Sequence, residues 1–443
     1  MDSLGVAHVS HADNDARVRL TVRLVFLLAD VGNRAQTTRC KEQLTREVKR
    51  LLIRLLIILF GIGTTVTWIR VYEGFKPPLL YRKDFIQLYL MGKAAAFGLP
   101  VYTPLAELAR IFDPDLGAFH QHSSAYPPTT LLFFRIFADL SYVRALLLWD
   151  IVELISFVIA SILILRELRS RTTLDRLALV IVASVLWPPF LYDLYHGQLM
   201  MTILLLLTGT WLSLKSGRDN VAGIFLGVLL ALKLYAWPIW LFLILKRNYR
   251  PVICAIVVFL LLNFITIIWL GLDSVLEYYL HVAPAISLIY RTHTLNFSLF
   301  ALGATLVGAW FGAIVVLLVL VLSLGLAWRA PDFDHAFMIM VAVAIIAGPV
   351  SWVHYLITLL PALCLVVTWK EMQMREKVLI AILFYLAVPE IYESFLSPRM
   401  VALIPAFFVL GLILLLSRAL AGQNVIDKML SRSTQRVAEG VGG

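Results

Sequence analysis

Asp84 lies in a polar run, Tyr81-Arg82-Lys83-Asp84-Phe85, that continues through Gln87, Tyr89, Lys93, Gly98 and Tyr102. A positioned carboxylate can take the proton of an attacking hydroxyl near neutral pH. The same acid at a helix start has a structural use, gaining a few tenths to about 1 kcal/mol from the helix dipole. The residue types leave both uses open. Lys233 stands inside a 25-residue apolar run, residues 221–245. An unpaired lysine at membrane depth costs roughly 2.5–3.5 kcal/mol, so it calls for a carboxylate, a cluster of carbonyls, an anionic ligand or a route to the interface. His354 follows Gly348-Pro349-Val350-Ser351-Trp352-Val353, where Gly-Pro breaks a long apolar stretch. A lone histidine is more often a hydrogen-bonded structural residue than a catalytic one, and its place at a broken-helix junction keeps it as a candidate. His196-Gly197-Gln198 separates two apolar runs and reads most simply as a turn. A further polar loop, residues 273–298, carries His281, Arg291, His293 and Asn296. Tyr126-Pro127-Pro128 marks a helix start, because proline suits the first turn and not the interior.

The elements that must position these residues are membrane helices. The chain is 443 residues long, 60% hydrophobic and 15% charged, whereas soluble domains carry about a quarter charged residues. Too little polar surface exists to coat a water-soluble globule. The formal charge of +10 comes from Lys and Arg gathered between apolar runs, which is the pattern of membrane topology and not of a nucleic-acid partner. Cys40, Cys254 and Cys364 are too scattered for a disulfide framework or a metal site. The first fifty residues carry charges throughout and do not read as a cleavable signal. Arg46, Lys49, Arg50 and Arg54 flank the first apolar stretch, so the N-terminus is expected in the cytoplasm.

Apolar segments fall at residues 55–69, 127–140, 145–165, 177–192, 198–214, 221–245 (a broken hairpin around Lys233 and Pro238), 251–272, 299–328 (one helix with a bend), 336–347, 353–369, 378–388 and 400–417. The expectation is an all-α polytopic membrane protein with about ten to thirteen membrane segments and an extracytoplasmic first loop. In that loop Phe85, Leu88, Tyr89, Ala95 and Ala96 are expected to face the membrane interface from one helix. The organisation expected is a basic cytoplasmic extension over 1–50, one membrane domain over 51–418 and a polar tail over 419–443 with Lys428, Arg432 and Arg436.

In order and spacing these pieces resemble glycosyltransferase family 87, within the GT-C superfamily of membrane glycosyltransferases. The residues that carry the resemblance are Asp84-Phe85 with Tyr89, Gly98 and Tyr102; Tyr126-Pro127-Pro128; Gly197-Gln198; Gly223 and Gly227 leading to Lys233 and Pro238; Asn296 with Ser298; and Pro349-Val350-Ser351-Trp352-Val353-His354. The resemblance runs from about residue 55 to 363. It implies a GT-C-like fold in a bacterial inner (plasma) membrane. It also implies transfer of a sugar, mannose in most of the family, from a polyprenyl-phosphate carrier to a lipid or glycan acceptor on the extracytoplasmic side. Asp84 then corresponds to the catalytic base and His354 to an active-site histidine. Lys233, Gln198, Tyr126, Arg291 and Asn296 become the substrate-binding candidates, with Lys233 or Arg291 stabilising the departing phosphate.

A single displacement would invert the anomeric centre. The chain has no glycine-rich phosphate loop, in keeping with a donor that is not a nucleotide. It has Ile86 where a second acid after Asp84 would suggest a metal, so no metal or cofactor is expected. Leu199 and Met200 follow Gly197-Gln198 where the family often has a polar Asn, and Val353 replaces a frequent acid. Two other readings stay open: a transporter or flippase of a lipid-linked sugar, which broken helices and buried charges also suit, and a noncatalytic scaffold with the transferase fold.

Overall fold

A helix satisfies its own backbone polar groups, as lipid requires, and among the described residues the chain forms helices and turns without a strand. The computed structural model describes residues 65–66, 68–116, 121–168, 180, 184–330, 332–368 and 400–417. All of them belong to the compact unit Gly63–Gly443. The expected N-terminal extension, the C-terminal tail, the 378–388 segment and most of 55–69 lie outside the described residues.

In chain order the helices of eight residues or more are α1 (Phe85–Ala96), α2 (Leu105–Phe112), α3 (Tyr142–Glu167), α4 (Pro188–His196), α5 (Met200–Lys215), α6 (Asp219–Leu232) and α7 (Trp237–Leu245). They continue as α8 (Tyr249–Leu270), α9 (Ala283–Tyr290), α10 (Leu299–Leu306), α11 (Ala309–Arg329), α12 (Phe333–Ala347), α13 (Leu360–Thr368) and α14 (Met400–Ser417). Helices α3, α8, α11 and α14 are long and apolar enough to cross a membrane, and α4 with α5 form a fifth candidate bent by 119°. Pro128–Phe137, α6, α12 and the segments Leu234–Leu245 and Val353–Thr368 are apolar but shorter. Large apolar side chains are exposed on α8 at Ile253, Val257, Leu260, Phe264 and Ile268. Their spacing of three or four makes one stripe, the face a membrane helix turns to lipid. Helix α12 is the opposite case, buried on every side from His335 to Ala347.

Three sequence expectations change. Helix α1 does not lie half-exposed on the interface: Ile86, Leu90 and Met91 are as buried as Phe85 and Leu88, and Gln87 is buried with them, because other helices pack around it. The 299–328 stretch is two helices, since Gly308 adopts φ 147° and folds α10 back on α11 with Gly303 against Gly312. Residues 128–137 form a ten-residue helical stretch, about half the length a crossing needs. The broken hairpin around Lys233 is present. Helix α6 ends there, Lys233 is extended at φ −158°, and α7 returns so that Asn248 Nδ2 donates to Asp219 Oδ1 at 3.3 Å.

Two local devices orient the bundle. Gly223 and Gly227 lie one turn apart on α6, where a Cβ would come within 2.5 Å of Cys254 and 2.7 Å of the Ala255 carbonyl on α8. Small residues at that spacing let two helices approach closely. At one end of the bundle Lys215 pairs with Glu167 and Asp334, each at 2.6 Å, and Trp211 Nε1 donates to Asp334 at 2.9 Å. This ties the end of α3, the end of α5 and the start of α12 together. The other ends of the same three helices lead to residues 142, 200 and 347, and the polar cluster forms there.

Candidate active site

Asp84 occupies the position before α1, yet its side chain makes no capping hydrogen bond to the helix. Its carboxylate turns away. Gln198 Nε2 donates to Oδ2 at 2.7 Å, and Gln87 Nε2 lies 3.4 Å from Oδ1. His196 Nδ1 stands 3.6 Å from Oδ2. The Asp84 side chain keeps 25% of its surface exposed, so a substrate can still reach it.

The turn that delivers Gln198 depends on glycine. Gly197 ends α4 at φ 62°, the left-handed region, and a Cβ there would sit 2.8 Å from both Phe85 and Leu146. Close approach and left-handed backbone together bring residues 84–85 against 196–198. Gln198 is then held from three directions. Tyr126 Oη donates to its Oε1 at 2.7 Å, Trp149 Nε1 donates to its carbonyl at 2.9 Å, and its own N–H donates to the Asp193 carbonyl at 2.9 Å. Because a carboxylate only accepts, this places the amide nitrogen toward Asp84. Burial, and next the charge of Asp84, raise the Tyr126 phenol well above its ordinary range, so it stays a donor. Tyr102 Oη fixes the Tyr126 carbonyl at 2.9 Å, and Gln87 Oε1 accepts from the Ala125 N–H at 3.0 Å.

The N-terminus of α5 faces the same region, and a free helix start is an anion site. Here it is taken. Glu153 Oε2 accepts from the N–H groups of Met201 and Thr202 at 2.8 and 3.1 Å, and Asp193 Oδ1 accepts from Met200 at 3.2 Å. Positive charge comes from Lys233, at the break between α6 and α7. Its ammonium lies 3.5 Å from Met200 Sδ, 4.2 Å over the Tyr355 ring and 5.8 Å over Tyr126. It makes no ion pair with a described acid, although the charges of Asp193, Asp84 and Glu153 act on it. Thioether and ring faces are weak partners for an ammonium.

His354 is buried in the 3₁₀ segment Val353–Leu359, its ring 6.3 Å from His196 and 5.0 Å from Tyr355. Its Nε2 and the Nδ1 of His196 are both buried without a hydrogen-bond partner. Buried polar atoms normally find one. Two unsatisfied imidazole nitrogens and a weakly partnered ammonium therefore border one region beside Asp84.

Asp84, Gln198, Tyr126, Lys233 and His354 thus come together. Arg291 and Asn296 behave differently. Arg291 follows the end of α9 and makes no hydrogen bond or ion pair with the cluster. Asn296 Nδ2 donates to the carbonyls of Tyr290 and Pro349, both at 3.0 Å, while Oδ1 accepts from the N–H groups of Ser298 and Ser351 at 3.1 and 2.9 Å. Four bonds fill an asparagine side chain, so Asn296 clamps the two loops that present His354. The sequence reading takes His196 only as part of a turn, although its place two residues before Gln198 at a glycine-ended helix is a signal, and gives no role to Tyr355, which follows His354. Lys83, named in the sequence only as part of the polar run, is fully buried next to Asp84, with Nζ donating to the Tyr195 carbonyl at 2.5 Å and lying 4.1 Å over Phe75. Burial lowers its pKa to about 8, against the opposing charge of Asp150. Among the described residues no three His, Cys, Asp or Glu side chains are grouped to hold a metal ion.

A profile of glycosyltransferase family 87 matches residues 125–351, just over half of the 443 residues. Tyr126, Gln198, Lys233, Arg291 and Asn296 fall inside the match, while Asp84 and His354 fall outside it. No curated protein and no solved structure matches the chain.

Proposed function

The chain belongs to glycosyltransferase family 87, and from that premise we propose that it moves a sugar, mannose, from a polyprenyl-phosphate carrier to an acceptor hydroxyl of an extracytoplasmic lipid or glycan. In this reading Asp84 is the base. The acceptor hydroxyl gives its proton to the carboxylate as its oxygen attacks the anomeric carbon. The bond from that carbon to the phosphate oxygen breaks, its electron pair leaves with the phosphate, and the centre inverts. Lys233 with its charge and His354 with an Nε2–H donor meet the charge that develops on the phosphate. Gln198, held by Tyr126, keeps the carboxylate in place, and His196 flanks its second side. Asn296 is given a positioning role, and Arg291 the outer approach to the phosphate.

The observation that carries this reading is the pairing of an oriented carboxylate with a cation that has no acid partner of its own. Met200 supports it as well: a thioether beside Lys233 competes weakly for the ammonium, where a carboxamide would compete strongly. A polyprenyl tail stays in lipid, which favours a site built at helix breaks over one in a soluble domain. Cation-rich turns at residues 215–218 and 246–250, at the bundle end away from Asp84, support a cytoplasmic placement of that end. The first loop and the active site are then extracytoplasmic, in a bacterial inner membrane. The five shorter apolar segments, read as partial crossings, add to the four long helices and the bent pair to reach the lower end of the ten to thirteen proposed.

The test is incubation of purified protein with radiolabelled polyprenyl-phosphate mannose and a membrane lipid extract. Label is expected in a new product with wild type and not with Asp84→Asn, which still inserts and purifies. Labelled donor that crosses vesicle membranes without transfer would instead favour a flippase.

A further inference from the structure

A crevice of 1190 Å³ opens between the end of α7, the start of α8, the last three turns of α11, and α14. It exceeds the roughly 300–1,000 Å³ of pockets that take drug-sized ligands. Its walls are aliphatic, with Leu245, Val319, Leu322, Leu410 and Leu414 among them, and its two charged lining residues are both arginines, Arg247 and Arg329.

The rim is built and not merely left over. Arg247 is held at φ 57°, a left-handed conformation that non-glycine residues seldom take. The helix end imposes it: the Arg247 N–H donates to the Ile244 carbonyl and the Asn248 N–H to that of Leu243, each at 2.9 Å. Lys246 Nζ donates to the Trp328 carbonyl at 2.8 Å, tying the end of α7 to the end of α11. Tyr249 and Trp328 are each about half exposed on this rim, as residues at a membrane–water boundary are. The acids nearest in sequence are engaged elsewhere, Asp332 with His335 and Asp334 with Lys215 and Trp211. Two arginines without a described carboxylate thus stand at the mouth of an apolar crevice.

We propose that this crevice binds an anionic glycerophospholipid, its acyl chains along α11 and α14 and its phosphate between Arg247 and Arg329. Basic pockets between membrane helices take lipid phosphates in this way. The lipid is not the sugar donor. Helix α12, of 15 residues, starts at the rim end and finishes beside the loop that carries His354, so about 22 Å separates the rim from the Asp84 cluster. The occupant belongs to the leaflet opposite that cluster, and the proposal stands whether or not the sugar-transfer reading does.

The test is native mass spectrometry of the full chain released from micelles containing equal amounts of phosphatidylglycerol and phosphatidylcholine. One phosphatidylglycerol is expected per chain, favoured about tenfold or more for two cations. The double variant Arg247→Gln, Arg329→Gln should lose that preference. Leu414→Trp, on a residue 68% exposed, should narrow the crevice and lower retention of both lipids. Equal retention of the two lipids by wild type, or an unchanged preference in the double variant, would overturn the proposal. So would the absence of any retained lipid, which would mean that another part of the chain covers the crevice.

Discussion

Gln198 Nε2 donates to Asp84 Oδ2 across 2.7 Å, joining a helix start to the bend between two other helices 114 positions further along the chain. That bond separates the two uses an acid at a helix start can have. A capping carboxylate points back along its own helix toward free N–H groups. Asp84 points at a side-chain amide that Tyr126 holds in one orientation, and beyond it to His196 and the charge of Lys233.

Tyr126→Phe removes the donor to Gln198 Oε1 and leaves the amide free to flip. The expected cost is about 1 kcal/mol of stability and roughly a tenfold fall in kcat, with the donor KM little changed, since the tyrosine acts through Gln198. Steady-state kinetics on the purified variant measure this. A KM effect without a kcat effect would place Tyr126 on the substrate instead.

Lys233→Met should separate stability from function. The ammonium makes no ion pair with a described acid, yet the charges of Asp193, Asp84 and Glu153 act on it, so relief of the roughly 2.5–3.5 kcal/mol cost of a charge at membrane depth is offset by the lost attraction and the thermal midpoint should shift little. Transfer should fall by about 10²–10³, the usual loss for one stabilising donor. A lowered midpoint with normal transfer would make the lysine structural.

Gly197→Ala puts a side chain into the left-handed region, at roughly 1–2 kcal/mol, and drives a Cβ to 2.8 Å from Phe85 and Leu146. Overpacking of that kind adds about 1–3 kcal/mol. The expected total is a loss of about 2–5 kcal/mol, read as a lower midpoint in detergent, together with loss of transfer as residues 84 and 198 separate. Wild-type stability in this variant would contradict the close approach.

Lys83→Met tests a buried cation through pH. Burial lowers the Lys83 pKa from 10.5 to about 8, so between those values the folded chain binds fewer protons than the unfolded one. Wild-type stability should therefore rise relative to the variant as pH increases through 8 toward 10.5, by about 3 kcal/mol at most. Below pH 8 the difference should be flat. Midpoints of the two proteins from pH 7 to 10 show the trend, and parallel curves would mean that Lys83 is ionised as freely as in water.

Much of the fold was legible because its signals are local. The break at Lys233 shows as a lysine and a proline inside an apolar run, and the end of α4 shows as the glycine of His-Gly-Gln. The bend of residues 299–328 into two helices was half legible: Gly308 marks the place, but only the packing of Gly303 on Gly312 decides that the chain folds back. The burial of α1 was not legible, because an apolar helix beside polar neighbours has the same composition at an interface as inside a bundle.

The amino-acid sequence by itself determined that the chain belongs in lipid, where its helices break and which ionisable residues need an account, because hydrophobic periodicity, prolines and stray charges act within a few residues of themselves. Only the tertiary structure decided what those residues face. Asp84 meets Gln198, His196 comes near His354, Lys233 lies on Tyr355 without an ion pair to a described acid, and Asn296 fills its bonds on backbone. Each of these depends on where distant helices cross, and a side chain's partners are set by that packing and not by its neighbours in sequence.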